Sequence, residues 1–72
     1  MNVKDRELYE RELEQVNKHF EGDKLMLDIR EVALYIGCDV RTLLSMKSFP
    51  IKKIGNRSRV SRTSLAAWLA KV

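Results

Sequence analysis

Seventy-two residues carrying a net charge of +4 make one small domain, near the size at which an apolar core suffices without metal or disulfide. A single cysteine and a single histidine exclude an internal disulfide and a multi-cysteine metal site. With no Gly-rich phosphate loop and no base beside Cys38, neither an enzyme nor a cofactor is expected. Apolar runs of only a few residues read as neither signal peptide nor membrane span, so the expectation is a cytoplasmic protein with no membrane partner.

The charge is divided along the chain. Residues 1–31 hold six Lys/Arg against nine Asp/Glu, net −3, and residues 32–72 hold eight against Asp39 alone, net +7. That asymmetry suggests an acidic arm on a domain that binds polyanions, the alternative being a merely solvated basic face.

In chain order, residues 1–22 form the acidic N-terminal segment. Within it Tyr9, Leu13, Val16 and Phe20 recur at steps of four, three and four, a narrow apolar seam on a highly charged helix over 3–20. Glu7 to Arg11 and Glu14 to Lys18 are acid-before-base pairs four apart, each worth only ~0.2–0.5 kcal/mol. A helix held by so little is marginal alone. The seam therefore needs a surface: its own domain near the apolar Leu34 and Leu44, or a second copy or partner protein. His19 stands beside it without a second histidine and reads as a packing residue. Glu21-Gly22-Asp23-Lys24 breaks the pattern and marks the one internal boundary, before a domain over 25–72.

Ile29, Val32, Ala33 and Ile36 then trace one face of a short helix, with Asp28 as N-cap, Glu31 three residues on and Gly37 as terminator. Asp39 caps a second helix from Val40 to about Lys47, whose buried edge is Leu43 and Met46. Two helices joined at Gly37-Cys38-Asp39, with small Ala33 at their crossing, read as a helix-turn-helix, whose second helix enters the DNA major groove. Cys38 in that turn reads as a small packing residue.

Pro50 closes this element. Ile51-Lys52-Lys53-Ile54 and Ser58-Arg59-Val60 are short strands around Gly55-Asn56, a hairpin signal. Alternation is expected to turn Ile54 and Val60 inward and Lys53, Arg57 and Arg59 outward. Ser61 caps a closing helix in which Leu65, Trp68, Leu69 and Val72 form the buried face, with Trp68 the largest member. The expected fold is mainly α with a small β-hairpin: a winged helix-turn-helix preceded by an extra helix.

These residues resemble the excisionase-type winged helix-turn-helix family, a compact branch of the superfamily that includes the mercury-resistance regulators. The likeness runs over about 25–70. Asp28, Glu31, Val32, Ala33, Tyr35, Ile36 and Gly37 match the family's opening helix, and Arg41-Thr42-Leu43 its recognition helix. Pro50, Lys53, Ile54 and Gly55 match the start of the wing and Arg57, Arg59 and Val60 its return. Leu65, Trp68 and Leu69 match the ending. The chain departs from the family at Leu44 and Ser45, where an aromatic and an arginine are usual, in the shortened Lys47-Ser48-Phe49 link, and in its acidic N-terminal helix.

The resemblance implies double-stranded DNA as ligand, with an integrase or recombinase and self-association on DNA as further contacts, and a role in DNA recombination of a mobile element. A small transcriptional regulator would use the same surfaces, whereas a ligand-sensing one would need an effector domain the length leaves no room for. A protein-interaction module built on the N-terminal seam, with Tyr9, Leu13, Val16 and Phe20 as partner-binding residues, is the alternative of another class. For DNA, Arg41 suits a guanine edge or a phosphate, and Thr42 and Ser45 suit bases or phosphates, with Thr42 equally able to brace the helix start. Lys47, Lys52 and Lys53 suit phosphates. Asn56 and Arg57 at the wing tip suit a minor groove, and Arg59 supports from the strand or packs on Trp68.

Overall fold

The computed structural model describes residues 3–71. Its first element, α1 (Val3–His19), lies along the last, α4 (Arg62–Lys71), which answers where the seam goes. Val16 is fully buried in the common core, and Phe20 packs against it. Tyr9 and Leu13 are half-buried, Tyr9 bordering a pocket with Ala67 and Ala70 of α4. As residues for a partner, Val16 and Phe20 are thus already engaged within the chain. The seam does not dock on Leu34 or Leu44, which remain 83% and 52% exposed. Of the two charge pairs on α1, only Glu14–Lys18 closes among the described residues, at 3.6 Å in solvent.

Residues 20–25 turn the chain back, Gly22 with φ of 114°. They are held by a residue not singled out above. Arg62, 8% exposed, donates from Nε to the Lys24 carbonyl, from Nη1 to Asn17 Oδ1 at 3.1 Å and from Nη2 to the Gly22 carbonyl at 3.4 Å. Its backbone N–H reaches the Leu25 carbonyl at 3.0 Å. A buried guanidinium needs its donors satisfied, and here carbonyls and an amide do it, clamping the end of α1 to the start of α4.

A short strand β1 (Met26–Asp28) follows, and the sheet has three strands rather than two, antiparallel in the order β1-β3-β2. β2 is Lys52–Ile54 and β3 is Arg57–Ser61. Opposed residues share a face. Leu27 pairs with Val60, and alternation adds Ser58 and its partner Lys53 to that inner face. Ile54 pairs with Arg57, on the opposite face with Arg59 and Lys52. Ile54 is therefore turned outward, 51% exposed, against the expectation, and Lys53 takes the inner face but beyond the core's edge, where it stays exposed. The reason is the tight turn at Gly55-Asn56, where Gly55 alone has positive φ, at 66°, the pattern of a type II′ hairpin that brings Ile54 opposite Arg57.

The central pair of helices is α2 (Ile29–Ile36) and α3 (Val40–Ser45). Asp28 caps α2 by accepting from the Arg30 N–H at 2.8 Å. Gly37, at φ 91°, closes it with its N–H on the Ala33 carbonyl. Asp39 caps α3 through the Thr42 N–H at 2.7 Å. α3 is shorter than expected: it ends at Ser45, so Lys47 belongs to the following turn, and Met46, 36% exposed, is not a core edge. Leu43 fills that place, fully buried with Val32 and Ala33.

The remaining core is made by Phe49, 5% exposed, edge-on to Trp68 at 4.9 Å, and by Leu65 and Val60. Trp68 itself is half-buried and joins the core from its rim. Ser61 caps α4, its Oγ accepting from the Ser64 N–H at 3.1 Å. Val72 lies outside the described residues. A second aromatic group joins α1 to α2: His19 sits 4.7 Å from both Phe20 and Tyr35. Burial, and then the Glu12 carboxylate on α1, push the Tyr35 phenol above its ordinary pKa.

Candidate nucleic-acid interface

Capping fixes where α3 begins, and the II′ turn fixes where the wing ends. Between them the fold makes one cleft, lined by Val40 and Leu44 of α3, by Asn56, Arg57 and Ser58 of the wing, and by Asp28, Ile29 and Arg30 at the start of α2. No α1 residue lines it. The helix and the wing tip, fifteen or so residues apart in sequence, thus share one surface.

Arg41, Lys47, Lys52, Lys53 and Arg57 are exposed and Arg59 is half-buried. Among the described residues none of these six side chains makes a hydrogen bond or an ion pair. Lys52, Arg59 and Asp28 lie in register across the sheet, and Arg57 and Ile54 extend that outer face to the tip. Arg59 is on the face away from Val60, as support from the strand requires. Arg62, counted among the basic residues of the second half, contributes nothing here because its guanidinium is buried and bonded.

The two hydroxyls of α3 behave differently from the arginine. Thr42 donates its N–H to Asp39 Oδ1 at 2.7 Å, and its side chain first, then that N–H, hold the Asp39 carboxyl below the usual aspartate pKa. Thr42 thus braces the helix start. Ser45 donates its hydroxyl to the Thr42 carbonyl at 2.8 Å, which leaves it only acceptor capacity. Of the residues assigned to base contact on α3, Arg41 carries the exposed charged donor group, with no partner among the described residues, whereas the Ser45 hydroxyl is committed.

No group of three or more His, Cys, Asp or Glu side chains is placed to hold a metal ion among the described residues. Cys38 is half-buried against the core at the turn. No described helix is long and apolar enough to cross a membrane. Comparison of the chain with protein-family models, with curated proteins and with solved structures gives no match.

Proposed function

We propose that the chain binds double-stranded DNA through α3 and the β2–β3 wing, and does so as an excisionase, bending DNA beside the sites of a recombinase. The observation that carries the DNA reading is the shared cleft: an exposed helix and a wing tip bearing Asn56 and Arg57, ringed by basic side chains with no partner among the described residues. A duplex is the polyanion whose grooves take a helix on one side and an arginine-bearing loop on the other. Arg41 suits bidentate contact with guanine, Arg57 a narrow minor groove, and Lys47, Lys52 and Lys53 the phosphates.

The excisionase reading rests on the motif resemblance, whose ordered residues fall on successive elements: Asp28 to Gly37 on α2 and its cap, Arg41-Thr42-Leu43 on α3, Pro50 to Val60 through the wing, Trp68-Leu69 on α4.

Duplex binding by the full chain, its Arg41→Ala and its Arg57→Ala variants tests the division of labour. Arg57→Ala weakens binding to most duplexes, whereas Arg41→Ala relaxes preference at one or two base pairs by ~1–3 kcal/mol. Indistinguishable profiles would refute it. Bending of several neighbouring sites together with stimulated excision supports the excisionase role; a single unbent site beside a promoter supports a transcriptional regulator instead.

A further inference from the structure

We infer that Leu44 is a base-reading residue, and that it recognises the C5-methyl group of a thymine in the major groove. The inference rests on the DNA-binding reading above and adds to it the chemical identity of one contacted group.

The argument is one of elimination on a six-residue helix. Leu43 is fully buried, and Val40, half-buried against the core, meets the cleft only at its floor beside Leu44. Thr42 sits at the helix start with its N–H on the Asp39 carboxylate, and Ser45 donates its hydroxyl to the Thr42 carbonyl. The charged, multidentate donor that α3 offers to bases is therefore Arg41. The remaining large side chain is Leu44, 52% exposed, at the lip of the cleft that α3 shares with Asn56 and Arg57. A single exposed leucine is unremarkable in itself; this one stands on the face where a duplex would lie.

An aliphatic side chain has one specific partner in the major groove, because the thymine methyl is the only apolar group that the four base pairs present there. Arg41 and Leu44 are three residues apart on one helix face, with Cβ atoms ~5–6 Å from one another. That separation is one to two base-pair steps at about 3.4 Å per step. The preferred site therefore carries a thymine within two base pairs of the guanine that Arg41 contacts.

The test uses the full chain and a duplex recovered from a randomised pool by repeated rounds of binding. Each thymine is replaced singly by deoxyuridine, which removes the methyl group and leaves pairing intact. At one or two thymines the replacement weakens binding about fourfold, the factor that burying one methyl group gives. In Leu44→Ala the same thymine and uracil duplexes bind alike, whereas Arg41→Ala weakens both and keeps their ratio. A duplex that binds tightly yet tolerates uracil everywhere, or a thymine preference that survives in Leu44→Ala, overturns the role of Leu44 while leaving DNA binding intact. Recovery of no duplex overturns the DNA-binding reading itself.

Discussion

The surface formed by α1, residues 20–25 and α4 and the surface formed by α3 and the wing use polar side chains in opposite ways. In the first, Arg62 is buried and bonded to two carbonyls and to Asn17, and the aromatic rings of His19, Phe20 and Tyr35 close on one another. In the second, Arg41, Lys47, Lys53 and Arg57 reach into solvent with no partner among the described residues. The same residue type thus serves folding at position 62 and is left available at 41 and 57. Net charge per segment cannot make that distinction; burial does.

The comparison predicts that damage to the first region appears as lost stability and damage to the second as lost binding. Deleting residues 1–22 is the strongest way to break it. The deletion removes Val16 and Phe20 from the core, each worth ~1.5–3 kcal/mol, and the Asn17 acceptor of Arg62 as well. For a domain whose total stability is of the order of 5 kcal/mol, that removes most of the folded population. Melting followed by circular dichroism should fall far below that of the full chain, and a truncated domain that melts with it would show that α1 is only an appendage.

Adjacent leucines on α3 give a finer cut. Leu43→Ala, at a fully buried site, should cost ~2–5 kcal/mol in denaturant unfolding. Leu44→Ala, exposed, should stay within about 0.5 kcal/mol of the parent. Equal losses would mean that Leu44 belongs to the core and not to the binding face.

The smallest effect concerns Asp39. Its carboxyl is held below the ordinary aspartate pKa by Thr42, so the bond stabilises the fold fully above that ordinary value and is lost as pH falls through the lowered one. The melting temperatures of the parent and of Asp39→Asn, which cannot titrate, should differ most near neutral pH and converge in acid. A difference that grows on acidification would contradict the assignment of that cap.

What was legible in the sequence is what local chemistry decides. Asp28, Gly37 and Asp39 announce the bounds of α2 and the start of α3 because capping acts over three residues. Tyr9 to Phe20 announce an amphipathic helix because their spacing is helical, but nothing within that segment says that α4 receives it. Met26-Leu27-Asp28 has no strand pattern of its own; β1 is a strand by virtue of pairing with β3, more than thirty residues away. Alternation along each strand puts Ile54 inward, whereas its face is set across the turn by its pairing with Arg57. At the candidate interface the basic residues were legible as charge. The committed hydroxyl of Ser45 is not, since its bond to the Thr42 carbonyl runs within one helical turn and leaves no mark in composition.

The central claim, that the unpartnered basic side chains of α3 and the wing hold a polyanionic duplex, is tested most directly by the salt dependence of binding. Each Lys or Arg that neutralises a phosphate releases a counterion, so log affinity should fall linearly with log salt, by about 0.9 for every phosphate contacted. The full chain should show a slope equivalent to several phosphates, and Lys53→Ala should reduce it by about one contact. An affinity that is the same at low and at moderate salt would contradict the account.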